Sequence, residues 1–356
     1  MHIQHTDDLV IDPAVFQEEW VPGDFRQRDA ELDLLGSALE PMLSGEPASD
    51  VFVWGPSGAG KTSAARVLLD ELGERVADLD THAVSCWSHR TRHRVLYEVL
   101  AGFGSVDGLR RTAVAASEVL DRVERTVTGP AVLVLDEVDQ LDEPDVLYDL
   151  YHVPGLVLFL VANSEDAVLS RLEPRLRSRL ASATSVHFER YGVEALVDIL
   201  SQRVRHGLAP GAVEREHLEH VADTAAGNAR DAIRILGTAA RLAEHRDREQ
   251  VSIALLEEAV PAARSELRET RQDRLGEHQE ALYEIITRAG SIAPGEAYER
   301  YTERVAEPRS KRRVRDYVRK LAAYDLIEVH GQNRGRRYTA VAPADGEEEE
   351  NMAGST

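Results

Sequence analysis

Eight consecutive residues limit what this chain can fold into more than any other feature. Gly55, Pro56, Ser57, Gly58, Ala59, Gly60, Lys61 and Thr62 spell GxxxxGK[ST] between the apolar run 51–54 and a helical stretch opened by Ser63. Strand, glycine-rich turn, helix is the context in which this pattern cradles phosphate. Glycines at 55, 58 and 60 admit backbone angles that turn N–H groups inward, and the helix N-terminus adds partial positive charge. Lys61 is placed to reach the β and γ phosphates of a nucleotide, and the Thr62 hydroxyl to ligate Mg²⁺. The chain has only three lysines, at 61, 311 and 320, so one at the position the chemistry needs is informative. The expected cofactors are ATP or ADP with Mg²⁺.

The surrounding sequence alternates. β-rich runs at 51–55, 82–87, 131–136, 156–163 and 184–191 are separated by helical stretches. That predicts an α/β core, a parallel sheet with helices on both faces. The run 131–136 delivers Asp136 and Glu137 to its carboxyl end, where open α/β sheets bind ligands. Asp136 is expected in the Mg²⁺ shell, and Glu137 beside the attacking water. The fourth run ends in Asn163, an amide that orients that water or simply caps the next turn. Arg171, Arg175, Arg177 and Arg179 then crowd nine residues. They form a solvated basic face, or present a guanidinium to a neighbour's γ-phosphate as an arginine finger.

Beyond residue 191 the β-rich runs stop, and helical patterns follow at 193–206, 214–226, 229–245 and 253–271. A third unit opens at 277 with helical stretches 277–289, 294–305 and 310–323 and short strands at 326–330 and 336–341. Three helices and a β-hairpin make a winged helix-turn-helix. Between residues 309 and 340 ten basic residues meet three acidic ones, a net +7 in a chain of net charge −21. Arg312, Arg315 and Arg319 share a helix face opposite Val314, Val318 and Leu321. With Lys311 they suit the major groove of double-stranded DNA, while Arg334, Arg336 and Arg337 lie in the wing. The same module can bind protein, which this local charge disfavours.

Global acidity argues against a protein that coats DNA generally, but not against one local patch. Arginine outnumbers lysine 39 to three, as in proteins of salt-saturated cytoplasm or of GC-rich genomes. Cys86 is the only cysteine, which excludes an intrachain disulfide. No apolar run approaches the roughly 20 residues that span a bilayer, and the first residues lack a secretory pattern. The expectation is a soluble, cytoplasmic protein without membrane contact, whose acidic tail after 343 is disordered.

Together these residues resemble an AAA+ ATPase. More narrowly, they resemble archaeal, haloarchaeal-type replication initiators related to the eukaryotic origin-recognition complex and cell-division-cycle loader. The resemblance covers residues 16 to 341. It rests on Glu18, Glu19, Trp20, Val21 and Pro22 leading to Arg28, on the phosphate loop, and on segments 135–141, 161–165, 174–180, 191–203 and 227–236. It implies a RecA-like AAA+ core over 1–190, an all-α lid over 191–272, a winged helix over 273–342 and an acidic tail over 343–356. By the same resemblance Asn163 is the sensor-1 amide, and Arg230 the sensor-2 arginine reaching the γ-phosphate from the lid. Tyr191 and Arg203 border the nucleotide, and Val21, Pro22 and Arg28 wrap the adenine. Read alone, Arg230 merely opens an amphipathic helix and Tyr191 is core.

The resemblance implies a finger among Arg175, Arg177 and Arg179, which spacing does not separate; Arg175 is favoured, then Arg179. The segment after Cys86, where such initiators carry an extra DNA-contacting helix, is not diagnostic here: its basic residues at 89–94, with Arg110 and Arg111, fit an ordinary solvated surface equally. The implied function is weak ATP hydrolysis used as a switch, recognition of origin repeats, and help in loading the replicative helicase. Self-association on DNA is a further implied contact. Two other classes fit in part: a transcriptional or stress regulator switched by nucleotide, and a clamp-loader-like ATPase. The second would carry an oligomerising collar in place of a basic winged helix.

Overall fold

The computed structural model describes residues 8–341 apart from residues 24, 26, 105, 107–113, 274, 325 and 332–334. Arg110, Arg111, Arg334 and the acidic tail lie outside the described residues. The chain divides into two compact units, Met1–Ile253 and Ala254–Thr356.

In the first unit, β1 (Val51–Trp54), β2 (Asp80–Ser85), β3 (Ala131–Asp136), β4 (Leu156–Ala162) and β5 (Thr184–His187) form an all-parallel sheet. Its order is β2-β3-β4-β1-β5. The inner strands are apolar up to the Asp136 that ends β3 because both faces are covered. In β3, Leu133 and Leu135 pack with Val95 and Val99 of α3 (Arg92–Phe103) and Val119 and Val123 of α4 (Ala116–Thr126). Val132 and Val134 point the other way, to Leu35 and Leu39 of α1 (Asp29–Leu39) and Ala64 and Leu68 of α2 (Lys61–Arg75). A one-residue slip would exchange these faces, so the register is fixed. Trp54 lies opposite Ala162, and Ser85 opposite Asp136. The carboxyl ends of β3, β4 and β1 are therefore neighbours. Short helices α5 (Val146–Leu150), α6 (Glu165–Leu169) and α7 (Pro174–Leu180) follow β3 and β4.

After β5 come α8 (Val193–Gly207), α9 (Arg215–Ala225) and α10 (Ala229–His245). Ala232, Ile235, Leu236, Ala239 and Ala243, three and four apart, give α10 its buried stripe. The amino-terminal segment packs on this helical part. A 3₁₀ turn over Pro13–Phe16 buries Val15 and Phe16, and Val10 bridges Leu208. Phe16 fits because Gly207 and Gly237 carry no Cβ, which at either position would lie 2.8 Å from the ring or its Cβ.

α11 (Ile253–Asp273) begins at the division between units, although the sequence pattern groups residues up to 272 with the lid. In the second unit α12 (Glu277–Ala289), β6 (Ser291–Ile292), α13 (Pro294–Arg304), α14 (Lys311–Ala323), β7 (Ile327–His330) and β8 (Arg337–Ala340) follow. The strands pair antiparallel in the order β6-β8-β7, so the expected hairpin is a three-stranded sheet. Two residues are too few for β6 to show alternation in sequence. Tyr301 is fully buried; its hydroxyl meets His278 Nδ1 at 2.9 Å and accepts from the Arg309 N–H at 3.1 Å, fastening the turn before α14. This is the element order of a winged helix-turn-helix. No described helix is long and apolar enough to cross a membrane.

Candidate nucleotide site and basic helix face

β1 ends at Trp54 and α2 begins at Lys61, so residues 55–60 carry the turn. Gly60 is the N-cap of α2 at φ 88° and offers no side-chain cap, leaving first-turn N–H groups for an anion. Lys61 is 7 % exposed; its Nζ donates to the carbonyls of Gly55 and Pro56 at 2.8 Å and to Asn163 Oδ1 at 3.3 Å. Burial lowers its pKa to about 8, against the pull of Asp136, Asp139 and Glu137 and with the push of Arg230. The Thr62 hydroxyl donates to Asp136 Oδ2 at 2.8 Å. Burial raises the Asp136 carboxyl, with the Thr62 bond and the Lys61 charge opposing. Among the described residues no group of three or more His, Cys, Asp or Glu could cage a metal. Thr62 and Asp136 together fit Mg²⁺, which takes one or two protein oxygens and completes its shell with phosphate and water. Ala59 is buried, while Ser57 and Ser63 are half-buried around the turn.

Glu137 adopts φ 58°, in the left-handed region that costs a non-glycine residue about 1–2 kcal/mol. The kink turns the chain sharply after Asp136. Asp139 ties this loop to the next strand end: its Oδ1 accepts from the Asn163 N–H at 3.1 Å. Arg171 braces the same loop by donating to Asp139 O at 2.8 Å and to Leu141 O. Arg171 is thus a structural donor rather than part of a solvated basic face. Arg177 donates to Leu172 O at 2.8 Å. Arg175 lies 4.0 Å over Tyr148 and pairs with Glu173 at 3.1 Å, and Arg179 lies 5.8 Å over Tyr151. None of these contacts involves a residue of the chain's own phosphate loop.

The helical part closes on the loop through α10. The Ala229 N–H donates to Gly58 O at 3.1 Å, and Asn228 caps α10 by accepting from the Asp231 N–H at 3.3 Å. Arg230 Nη1 donates to Ser57 Oγ at 3.4 Å, while its Nε lies 3.2 Å from Glu18 Oε1. Tyr191 is buried with its hydroxyl 2.3 Å from where a Cβ on Gly60 would lie. Arg28 packs over that ring at 4.1 Å and donates to Glu189 O and Glu31. Its two terminal nitrogens are thus occupied within the protein, while its buried Nε has no hydrogen-bond partner among the described residues.

Arg203 is engaged by the amino-terminal segment. It donates to Val15 O, to Gln17 O at 3.3 Å and to Trp20 O at 2.9 Å, and lies 4.3 Å over Trp20. Burial lowers its pKa to about 10. It fastens the segment that runs into the half-buried Val21 and Pro22.

In the second unit, Arg312, Arg315 and Arg336 are exposed, with no hydrogen bond or ion pair among the described residues. Arg319 pairs with Asp316, and Lys311 lies 5.1 Å over Tyr298. Arg337 is spent inside the sheet: it donates to Ser291 Oγ at 2.8 Å and Ser291 O at 2.7 Å, holding β6 to β8. The basic stretch at 89–94 is largely occupied. His89 faces Glu98 at 3.7 Å, Arg90 donates to Trp87 O at 2.8 Å, and Arg92 pairs with Asp149 at 2.5 Å.

The AAA ATPase domain family matches residues 24–161, and the Cdc6 AAA+ ATPase-type lid domain family matches residues 197–263. ORC1-type DNA replication protein 9 of Halobacterium salinarum is 38 % identical over 94 % of this chain and 94 % of its own length. The chain belongs to the ORC1-type DNA replication protein family. A second family member, ORC1-type DNA replication protein 1 of the same organism, is 38 % identical over 86 % of this chain and 100 % of its own. The structure of the Aeropyrum pernix ORC1 protein in complex with DNA superimposes with a TM-score of 0.76 at 26 % identity, covering 95 % of this chain and 94 % of that one.

Family membership accounts for the AAA+ fold and the lid. Of the residues singled out in sequence, Lys61, Thr62, Asp136, Asn163, Tyr191 and Arg230 gather around the phosphate loop. Asp139, Asn228 and Glu18 join them without having been given a role at the site. Asp139 carries a weak signal as a third acid after an apolar strand, and Asn228 as an N-cap residue before α10.

Proposed function

We propose that this chain is a nucleotide-gated initiator that binds double-stranded DNA at origin repeats, helps place the replicative helicase, and hydrolyses ATP weakly as a switch. The observation that carries the DNA half is the set of uncompensated arginines, Arg312, Arg315 and Arg336, on the basic unit of a chain of net charge −21. A neutralising acid would be the default in so acidic a protein. The Aeropyrum pernix relative seen in complex with DNA supports the same reading.

In the first unit, the loop amides and Lys61 collect the phosphates, and Thr62 and Asp136 hold Mg²⁺. The ion supplies positive charge to the phosphate oxygens. Glu137 accepts the proton of the attacking water, Asn163 orients that water, and Arg230 reports the γ-phosphate to α10. Arg175 or Arg179 completes the site of a neighbouring copy assembled on DNA.

The test is footprinting on origin repeats, together with genome-wide occupancy. Arg312→Glu with Arg315→Glu should abolish specific protection while ATP turnover persists. Lys61→Ala should abolish nucleotide binding. Surviving protection in the double variant would remove the winged helix as reader, and occupancy at promoters in place of origins would make the protein a regulator.

A further inference from the structure

The Glu18 carboxylate stands among the phosphate-site residues without a part in the chemistry above. Its Oε1 lies 3.2 Å from Arg230 Nε and 3.8 Å from Arg234 Nη2. An acid beside a site built to collect phosphate opposes anion binding. Its position is fixed from both sides. Arg203 holds the carbonyls of Val15, Gln17 and Trp20, and Arg66 of α2 donates to Glu19 O at 2.8 Å. The side chains of Glu18, Arg230 and Arg234 are 26 %, 34 % and 17 % exposed, so solvent screens the group less than a pair on the open surface. One guanidinium thus faces two ways, with Nε toward Glu18 and Nη1 toward Ser57 of the phosphate loop.

We propose that Glu18 is an internal anion that competes with the γ-phosphate for Arg230, and so sets the preference between nucleoside diphosphate and triphosphate. The inference rests on the reading of Arg230 as the γ-phosphate sensor. A diphosphate leaves the Arg230–Glu18 pair in place. A triphosphate brings a second anion to the same guanidinium and must loosen Glu18 or tolerate its charge. The cost falls on the triphosphate alone, which biases the site toward the diphosphate. Glu18 is a specificity-determining residue rather than a catalytic one. Its displacement would also loosen the segment that Arg203 fastens.

Calorimetric titration with ADP and with a non-hydrolysable ATP analogue tests this on the full chain. The proteins are wild type, Glu18→Gln, Glu19→Gln, Arg230→Ala and the Glu18→Gln/Arg230→Ala double variant. Glu18→Gln should improve analogue binding relative to ADP by about two- to fivefold, the range of a partly exposed ion pair. Glu19→Gln removes the same charge one residue away and should leave the ratio unchanged. In the Arg230→Ala background the Glu18→Gln effect should vanish. Without nucleotide, the two substitutions should shift the unfolding midpoint non-additively. An unchanged ratio in Glu18→Gln overturns the proposal, as does an equal shift from Glu19→Gln or persistence of the effect without Arg230. If wild type binds both nucleotides but Arg230→Ala leaves their ratio unaltered, the sensor reading fails and the competition with it. If wild type binds neither, the nucleotide site itself is wrong.

Discussion

Gly58→Ala isolates the contact that joins the helical part to the phosphate loop. Gly58 sits at φ 75°, and an added Cβ would lie 1.8 Å from Asn228 Oδ1 and 2.6 Å from its Cγ. The left-handed backbone alone costs an alanine about 1–2 kcal/mol. Asn228 must rotate away, which removes the α10 cap at about 1 kcal/mol. The Ala229 N–H to Gly58 O bond loosens for about 1 kcal/mol more. The sum is about 3–4 kcal/mol, or roughly 6–8 °C in Tm at about 2 °C per kcal/mol for a unit of this size. Thermal unfolding in molar KCl reads the shift, and ADP titration should show weakened binding. Asn228→Gly discriminates the cause, because glycine at an N-cap costs only a few tenths of a kcal/mol and clears the clash. Combined with Gly58→Ala, it should recover all but the backbone term. A Gly58→Ala protein melting within about 1 °C of wild type would refute the reasoning, as would no recovery from Asn228→Gly.

Lys61 has its pKa lowered from 10.5 to about 8, so phosphate affinity, which needs the ammonium, should fall as pH rises through 8, and binding at pH 9 should take up a proton. Calorimetry in buffers of different ionisation heat measures that uptake. Stability moves oppositely: between pH 8 and 10.5 the unfolded chain holds the extra proton, so this group's contribution rises with pH, and Lys61→Met should flatten the slope. Arg203→Leu strands the carbonyls of Val15, Gln17 and Trp20 and should cost about 2–4 kcal/mol in chemical unfolding. Arg203→Lys should recover only part, since the three carbonyls are spaced for the two terminal nitrogens of a planar guanidinium and one ammonium nitrogen cannot take both positions. Glu137→Gln should retain ATP binding yet lose single-turnover hydrolysis; wild-type rates would make Glu137 purely structural.

Much of the first unit is legible because its strands are buried on both faces. Ala131–Asp136 is apolar up to its terminal Asp136 and Leu156–Ala162 is apolar throughout, and their boundaries follow directly. Ala229–His245 is equally plain, because Asn228 starts it and its buried residues keep helical spacing. What sequence conceals are pairings between distant segments. Phe16 finds its place through Gly207 and Gly237, which read in sequence as weak points of helices rather than as a socket. Glu18 is one acid among 63, and nothing local marks it as the partner of Arg230. Arg203 and Arg337 fall where nucleotide and DNA contacts were expected, but a linear pattern cannot show that backbone carbonyls already claim their donors.

Arginine usage also bears on how so acidic a chain would hold DNA. A guanidinium offers five N–H donors in a planar fork, so one side chain can serve several carbonyls. Arg203 serves three and Arg171 two. With 39 arginines and three lysines, basic residues here are often internal struts, and a count of positive charge overstates what is left for a ligand. The stretch at 89–94 is dense in basic residues, yet His89, Arg90 and Arg92 already have partners. α14 retains Arg312 and Arg315 with none among the described residues. High salt sharpens the distinction, because counterion release weakens as salt rises and phosphate contacts then add little affinity. Arginines that persist as useful contacts under those conditions are those able to donate to base edges. It is the two unpaired side chains on one helix face, rather than the net charge of the segment, that make α14 the stronger candidate for a DNA contact than the stretch at 89–94.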